Sequence, residues 1–292
     1  MAVRSIQGAE NQEWSLVIKP KTNWLSLNLK DLWRYRDLLF LFVRRDFVAV
    51  YKQTILGPAW FFIQPILTTV MYMVVFGGIA KLSTDGMPQS LFYMSGVTAW
   101  SYFADCINKT SKTFTSNAAI FGKVYFPRLI MPLSIIVSNL IKFGIQFLLF
   151  MGFLVFFLVK GSDVNPNFYI FLMPVLILMM ACLGLGLGLI ISSLTTKYRD
   201  LTHLVTFGVQ LFMYATPVVY PLSALSDKNE LIQKIVMLNP LTPIVEAFRY
   251  SFLGAGTVSP IDLVISGVTI LFILIIGIIV FNRIEKNFMD TV

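Results

Sequence analysis

Long apolar stretches separated by short polar ones run along most of the 292-residue chain. Several of these stretches reach the roughly 20 residues that an α-helix needs to cross a bilayer core of about 30 Å. No regular ten-residue alternation of a membrane β-barrel is present. The pattern predicts an all-α integral membrane protein with six transmembrane helices. We place them at residues 58–80, 91–112, 128–159, 168–195, 201–220 and 261–281.

The connection between the fifth and sixth predicted spans is longer than the others. Residues 221–259 are moderately apolar and contain Pro221, Pro240 and Pro243. Two stretches within it, LIQKIVMLN and IVEAFRYSFLG, are too short to cross a bilayer. We interpret them as short re-entrant or interfacial helices on the outer face, and a plain long loop is the alternative.

Residues 31–52, which precede the first span, are amphipathic rather than uniformly apolar. At 100° per residue, one side of a helix collects charged residues and the other collects apolar ones, as in helices that lie flat on a membrane. Arg36 and Asp46 fall on the apolar side, so we expect this helix to dock on the bundle as well as on lipid. The charged side contains Arg34, Asp37, Arg45 and Lys52, and the apolar side contains Leu32, Tyr35, Leu39, Phe42, Val43, Phe47 and Val50.

The chain therefore divides into three parts. A cytoplasmic N-terminal segment covers residues 1–30, the amphipathic interfacial helix covers 31–57, and the six-helix transmembrane domain covers 58–292, with the outer re-entrant segment at 221–259. The first 30 residues are polar and have no apolar core segment, so they do not predict a signal peptide. Gly57 suits the end of the interfacial helix, and Pro58 suits the first turn of the next helix.

Composition and charge agree with a membrane protein whose termini are cytoplasmic. Hydrophobic residues make up 57% of the chain and charged residues 13%, with a mean hydropathy of +0.75, which excludes an ordinary soluble domain. With Lys142 left inside a span, 17 of the other lysines and arginines fall at or beyond the span ends on the side of the termini, and 5 fall on the other side. By the positive-inside rule, both termini are cytoplasmic. The net charge of +8 then reflects topology and contact with anionic lipids, and nucleic-acid binding is not indicated.

The residues do not predict an enzyme. His203 is the single histidine, and no second His, Cys or carboxylate stands at metal-ligand spacing, so no metal site and no catalytic residues are expected. Gly184, Gly186 and Gly188 lie inside a predicted span without a preceding strand, where small residues favour close helix packing over nucleotide binding. Without a GxxxxGK[ST] loop, ATP-driven work would require a partner protein.

Polar residues inside the third predicted span form a slowly drifting stripe that should face protein or water. The stripe contains Ser134, Ser138, Lys142 and Gln146, with Asn139 beside it. Asp105 is a possible partner for Lys142. Their depths, counted at about 1.5 Å per residue from the helix ends, differ by about 10 Å, so we do not expect a close pair.

Aromatic residues are frequent in the first and fifth predicted spans. They could face lipid or pack inside the bundle. Alternatively, they could line a conduit, because an aromatic ring suits the apolar face of a sugar and lets it slide. The conduit candidates are Trp60, Tyr72, Phe76, Phe207, Phe212, Tyr214 and Tyr220.

Several motifs in this order resemble one family. After the basic amphipathic helix come VYKQTILGPAW, SNAAIFGKVYFPRLIMP at 116–132, KYRD at 197–200, TPVVYP at 216–221 and NPLTPIVEAFRYSFLG at 239–254. The combination resembles the transmembrane permease subunit of polysaccharide ABC exporters, which export O-antigen, capsule or teichoic acid, and it covers nearly the whole chain beyond about residue 30.

The resemblance implies a multi-pass protein of the bacterial inner membrane that works as a homodimer with two copies of a separate ATPase subunit. ATP and Mg²⁺ would bind to that partner, and this chain would hold no cofactor. The first and fifth spans would line a channel at the dimer interface, and the outer re-entrant helices would gate it. The substrate would be a glycan of the O-antigen type, linked to a lipid pyrophosphate or phosphate and moved from the cytoplasm outward.

The resemblance also implies roles for particular residues. A coupling helix would enter the ATPase cleft, and the outer segment would supply gate residues. Arg44, Arg45 and Lys52 stand near the headgroup level, where they could bind a lipid pyrophosphate, or simply attract anionic lipids. The coupling candidates are Ser116, Asn117, Ile120, Phe121, Lys123, Tyr125 and Arg128. The gate candidates are Asn239, Pro240, Glu246 and Arg249.

Two alternatives remain at the level of sequence. A drug or small-lipid exporter would share this architecture and differ in cargo. An ion-coupled carrier belongs to another class and would be expected to show more intramembrane carboxylates and an internal repeat, which the sequence lacks.

Overall fold

The computed structural model describes residues 29–52, 54–198, 200–226, 230–256 and 258–291, all in helices and their connections. The proposed N-terminal segment up to residue 28, Arg199 of the KYRD motif and Lys228 lie outside the described residues. The helices are α1 (Leu29–Arg34), α2 (Arg36–Tyr51), α3 (Trp60–Tyr72), α4 (Gln89–Thr110), α5 (Thr113–Phe121), α6 (Ile130–Val159), α7 (Met173–Thr195), α8 (Leu201–Tyr214), α9 (Ser223–Ser226), α10 (Glu230–Met237), α11 (Thr242–Leu253) and α12 (Pro260–Thr291).

Four helical stretches are long and apolar enough to cross a membrane, and they coincide with four of the six predicted spans. They are Gly57–Ile79, Ile130–Val159, Phe168–Thr195 and Pro260–Ile284. The first is composite, because a 3₁₀ turn at Gly57–Ala59 leads into α3 and a π-helix at Met73–Ile79 follows it. The other two predicted spans correspond to α4, which is long but less apolar, and to α8, which has only 14 residues.

α4 is enclosed by other helices. It packs against α3, α6, α7, α8 and α11, and 15 of its 22 residues are buried. Small polar residues such as Ser95 and Thr98 lie inside it. A helix that is surrounded by protein needs no apolar surface for lipid. This explains why α4 is less hydrophobic than the helices at the periphery of the bundle and is still part of it.

Glycines allow α7 to approach its neighbours closely, as the sequence predicts. A Cβ atom added to Gly186 would lie 2.9 Å from the Cα of Leu274 in α12, and one added to Gly277 would lie 2.5 Å from the carbonyl oxygen of Gly186. On the side facing α4, a Cβ at Gly188 would lie 2.5 Å from Thr110. α7 is therefore clamped between α4 and α12 at van der Waals distance.

Two predicted helix ends are wrong. The fifth helix was expected to continue to Tyr220, but α8 ends at Tyr214. Pro217 has no N–H to donate and restricts the residue before it, so the helix cannot continue through that turn. The last helix continues past Phe281 to Thr291, because residues 282–291 contain neither glycine nor proline. Both predicted short helices of the outer segment are present, as α10 and α11.

The expected separation of Lys142 and Asp105 is also wrong. Lys142 Nζ lies 2.6 Å from Asp105 Oδ2. The nearby hydrogen bond of 2.7 Å from Lys109 Nζ to Asn139 Oδ1 shows that position 109 of α4 is level with position 139 of α6. α6 begins well beyond the end of α4, because α5 and a loop lie between them. Counting residues from the two helix ends assumed a common depth that the chain does not have.

Replacing Gly186 with alanine should lower the thermal stability of the detergent-solubilised protein. The new methyl group would meet the backbone of α12, which cannot move without separating the helices, and overpacking of this kind costs about 1–3 kcal/mol. Gly144→Ala in α6 is the matched control, because no atom lies within 4 Å of its added Cβ. Melting temperatures are measured by fluorescence-detected size-exclusion chromatography after heating. Equal melting temperatures for the two variants would contradict the close packing of α7 and α12.

Candidate functional site

The coupling candidates lie on and beside α5, at the end of the bundle where α4 turns toward α6. Hydroxyl groups hold the start of this helix: Thr113 Oγ1 donates to the carbonyl oxygen of Thr110 at 2.7 Å, and Thr195 Oγ1 of α7 donates to that of Ser111 at 2.9 Å. The backbone N–H of Phe114 donates to Ser192 Oγ at 3.4 Å. α5 is therefore attached to the end of α7.

A cluster of aromatic rings fixes the other side of α5. Phe114 is fully buried and stacks on Phe281 of α12, with ring centroids 4.6 Å apart. Phe121 is buried in the same cluster, 5.7 Å from Phe126, and the Arg128 guanidinium lies 5.7 Å from its ring. A movement of α5 would thus be transmitted to α7 and α12.

The seven coupling candidates do not share one environment. Ser116, Lys123 and Tyr125 are exposed, while Asn117, Ile120 and Arg128 are half-buried. Phe121, by contrast, points into the aromatic cluster and is only 6% exposed. Its contribution is to hold α5 in place, and the exposed members are the ones that another protein could touch.

The amphipathic helix α2 packs beside the aromatic cluster that holds α5. α2 packs along α6, and Phe42 and Val43 are buried, with the Phe42 ring 5.7 Å from that of Phe126. The helix thus lies against the bundle through part of its apolar side. The helix is interrupted at Tyr35, between α1 and α2. The side chain of Val50 lies outside the described residues.

The three headgroup candidates, Arg44, Arg45 and Lys52, are all exposed. Arg45 is partly neutralised, because its Nη2 lies 2.7 Å from Asp46 and its guanidinium lies 4.9 Å from the Phe42 ring. This contact also explains Asp46, which the helical pattern placed on the apolar side. The basic surface is therefore available to solvent or headgroups, with its charge reduced at Arg45.

The aromatic candidates form two groups. Tyr72, Phe76, Phe212 and Tyr220 are half-buried and pack on the main core. Tyr72 links α3 to α8, since its hydroxyl donates to the sulfur of Met213 at 3.1 Å. The Tyr220 hydroxyl donates to the carbonyl oxygen of Tyr214 at 3.0 Å, which secures the turn after α8.

The second group is exposed. Trp60 of α3 is 45% exposed, and Phe207 and Tyr214 of α8 are 60% and 52% exposed. Leu204, Phe207, Leu211 and Tyr214 follow each other at three- and four-residue steps, so they form one uncovered stripe along α8. Both helices thus present apolar and aromatic faces that the rest of the described chain does not cover.

The outer segment is held by a buried ion pair. Arg249 Nη1 donates to Glu246 Oε1 at 3.1 Å, and both side chains are 2% exposed. Arg249 Nη2 donates to the carbonyl oxygen of Val218 at 3.1 Å, and its guanidinium lies 3.9 Å above the ring of Phe92 in α4. Burial lowers the pKa of Arg249 and the Glu246 carboxylate opposes that shift, so the guanidinium stays charged.

The remaining gate candidates attach the same segment to the end of α8. Asn239 Nδ2 donates to Thr216 Oγ1 at 2.8 Å and to the carbonyl oxygen of Ala215 at 3.2 Å. Pro240 borders a groove beside α8. Gly96 makes room for these contacts, because a Cβ there would lie 2.6 Å from the carbonyl oxygen of Val218.

Sequence reasoning missed Phe92 and Val218 as partners of Arg249, and it missed Lys109 as a member of the polar cluster around Asn139. The polar stripe on α6 was the available signal for that cluster. A main-chain acceptor such as the Val218 carbonyl carries no signal in sequence. Within the described residues, no group of three His, Cys, Asp or Glu side chains could hold a metal ion.

Comparison with known proteins identifies the family of the chain. The model of the ABC-2 type transporter family matches residues 37–253, from α2 to the end of α11. The O-antigen export system permease protein RfbA of Klebsiella pneumoniae is 27% identical over 91% of this chain and 99% of the relative. The protein of that name from Myxococcus xanthus is 28% identical over 77% of this chain and 83% of the relative.

A more distant relative is the inner membrane transport permease YadH of Escherichia coli K12, which is 24% identical over 82% of this chain and 91% of its own length. The similarity to these relatives therefore extends over most of each chain. With apolar helices long enough to span a membrane, the chain is a multi-pass membrane protein. It belongs to the ABC-2 type transporter family, whose model matches most of its length.

Proposed function

We propose that this protein is the permease subunit of an ATP-driven exporter that moves a lipid-linked polysaccharide of the O-antigen type from the cytoplasm across the bacterial inner membrane. The observation that carries the proposal is the similarity, over most of both chains, to permeases named for O-antigen export. The aromatic faces of α3 and α8 support it, because aromatic rings suit the apolar faces of sugars.

The proposed topology has six spans per chain, with α4 as the second and α8 with its following turn as the fifth. Residues 1–30 and the C-terminus lie in the cytoplasm, residues 31–57 form the interfacial helix, and residues 58–292 form the transmembrane domain. The distribution of lysine and arginine supports this orientation. The interfacial helix within residues 31–57 is α2 with the end of α1, since the described helix stops at Tyr51. On this topology α5 is cytoplasmic, and the segment 221–259 is at the outer face.

Two copies of the chain assemble with two copies of a separate ATPase subunit, which binds ATP and Mg²⁺. The exposed residues Ser116, Lys123 and Tyr125 form the contact with the ATPase. When ATP closes the partner subunits, α5 moves as a rigid unit, because its aromatic cluster and hydroxyl contacts attach it to α7 and α12. A rigid contact of this kind lets movement at the ATPase reach the spans.

The conduit lies between the two copies, where the exposed stripes of α3 and α8 face each other. Trp60, Phe207 and Tyr214 contact the glycan, while Tyr72 and Phe212 support the helices from behind. At the outer end, α10 and α11 close the conduit. The Arg249–Glu246 pair and the Asn239 contacts hold these short helices against the ends of α4 and α8.

Export of a drug or small lipid is the second candidate. The Escherichia coli relative, which is named only as an inner membrane transport permease, supports the same architecture with an unspecified cargo. The nature of the transported molecule separates the two candidates.

Proteoliposomes that contain this chain and its partner ATPase should hydrolyse ATP and move a lipid-linked glycan to the opposite leaflet. The chain alone should do neither, because it has no phosphate-binding glycine-rich loop. ATP hydrolysis by the chain alone would contradict the subunit assignment. Hydrolysis by the complex with transport of a small lipid, but of no glycan, would favour the second candidate.

Tyr125→Ala should weaken binding of the ATPase at least about fivefold, because tyrosine is enriched among the interface residues whose truncation costs more than about 1 kcal/mol. Phe168→Ala is the control, since Phe168 is also exposed but lies on the outer side in the proposed topology. Copurification and glycan export report the effect. Phe121→Ala should instead lower the free energy of unfolding by roughly 3–5 kcal/mol, because removing this buried ring leaves a cavity. Intact binding with Tyr125→Ala would remove the coupling assignment.

Arg249→Met should destabilise the protein by about 3–5 kcal/mol, because it leaves the Glu246 carboxylate buried without its guanidinium. The double variant Glu246→Gln/Arg249→Met should recover much of that loss, and its outer helices should be held less tightly. In cells, the double variant should then admit a small fluorescent dye that the wild-type protein excludes. A dye leak equal to that of the wild type would contradict the gate assignment.

A further inference from the structure

A polar cavity lies within the bundle, between α2, α3, α4 and α6, away from the faces of α8. Its volume is about 250 Å³, and its lining includes Asp46, Phe61, Lys109, Ser138, Asn139 and Lys142. On the proposed topology it lies in the cytoplasmic half of the membrane, beneath the interfacial helix α2. Burying ionisable residues at such a depth costs free energy, so those that occur are usually paired or functional.

The cavity carries a net positive charge. Lys142 is matched by Asp105 at 2.6 Å, and Asp46 is matched by Arg45 at 2.7 Å. Lys109 donates to the neutral amide of Asn139 at 2.7 Å, and within the described residues no carboxylate lies within 4.0 Å of its ammonium group. One cationic charge at the cavity is therefore left uncompensated by the described chain.

A second polar group at the cavity is also unsatisfied. The Ser138 hydroxyl is shielded from solvent and has no hydrogen-bond partner among the described residues. A buried polar group that lacks a partner is costly, and a ligand is one way to satisfy it. A phosphate oxygen could accept from this hydroxyl as well as from the two lysines, because phosphate forms strong charge-assisted hydrogen bonds with ammonium groups.

An apolar groove lies farther along the same two helices, α3 and α6. It lies between α3 and α6, has a volume of about 710 Å³, and is lined by Phe62, Leu148, Leu149, Gly152, Phe153 and Phe156. Phe61 of the cavity and Phe62 of the groove are consecutive on α3. On α6, positions 135, 142, 149 and 156 recur every seven residues and so share one face, with position 149 about 10 Å beyond position 142.

We propose that a single-chain lipid phosphate binds here, with its phosphate in the cavity at Lys109 and Lys142 and its hydrocarbon chain in the groove between α3 and α6. The order of a cationic pocket and then a narrow apolar groove matches the head and tail of such a lipid. The inference rests on the proposed function: the ligand is the lipid phosphate that carries the glycan, received from the cytoplasmic leaflet. The exposed Arg44, Arg45 and Lys52 then lie at the approach to the site.

Binding of farnesyl phosphate to the purified full-length chain in phosphatidylcholine nanodiscs tests this site. Wild-type protein should bind farnesyl phosphate, and farnesol and inorganic phosphate should each bind much more weakly, because each lacks one half of the ligand. Lys109→Gln should weaken binding about tenfold, which is the effect of losing one charge-assisted hydrogen bond. Lys197→Gln is the control, since this lysine follows α7, lies against Tyr198, and lines neither the cavity nor the groove.

Two further variants separate the pocket from the groove. Asp105→Asn/Lys142→Gln removes the second cation without leaving an unpaired carboxylate and should also weaken binding about tenfold. Gly152→Leu should reduce binding, because Gly152 lines the groove and a leucine there would fill it. The protein should tolerate the leucine, since no atom lies within 4 Å of an added Cβ at this position. Gly144→Leu on the same helix meets equally open space outside the groove and should have no effect.

Unchanged binding in Lys109→Gln and Gly152→Leu, with both variants eluting as folded protein, would overturn the site. Displacement of farnesyl phosphate by phosphatidylglycerol at equal concentration would also overturn it, in favour of ordinary anionic lipid. The assay contains neither ATPase nor glycan. Failure here with intact glycan export would therefore refute only the site, whereas loss of export with intact binding would refute the proposed function.

Discussion

The enclosure of α4 by other helices is the constraint on which the rest of the bundle depends. Because α3, α6, α7, α8 and α11 all pack against it, their relative positions are set by one central helix. Its two ends carry different polar chemistry. Near one end, Asp105 and Lys109 meet the polar stripe of α6. Near the other, Phe92 and Gly96 receive the Arg249 guanidinium and the chain that follows α8.

This arrangement connects the two ends of the bundle through one central helix. α5 follows α4 after two residues, and its aromatic cluster contacts the last helix through Phe281. α11 lies against the opposite end of the same central helix. In the proposed exporter, a displacement of α5 by the ATPase and a release of α11 at the outer face would therefore involve one shared element, whose packing has few alternative arrangements.

The sequence predicts the positions of most helices because apolar length and helix breakers are local properties. The end of α8 could have been placed correctly from Pro217, which forbids continuation. The Lys142–Asp105 pair could not, because the relative depth of two antiparallel helices depends on the conformation of the connection between them. The inward position of Phe121 was equally hidden: lipid and protein core are both apolar, so in a membrane protein hydrophobicity alone does not distinguish a buried aromatic residue from a lipid-facing one.

The buried ion pair also has a consequence for the order of biosynthesis. The three partners of Arg249 described above, Phe92, Val218 and Glu246, precede it in the chain. When α11 leaves the ribosome, the pocket for its charge has already been translated, so the guanidinium can pass directly from water to its partners. α12 is translated after α11, and its close glycine contact with α7 then joins it to the bundle. The linear order of the sequence is thus also a workable order of assembly.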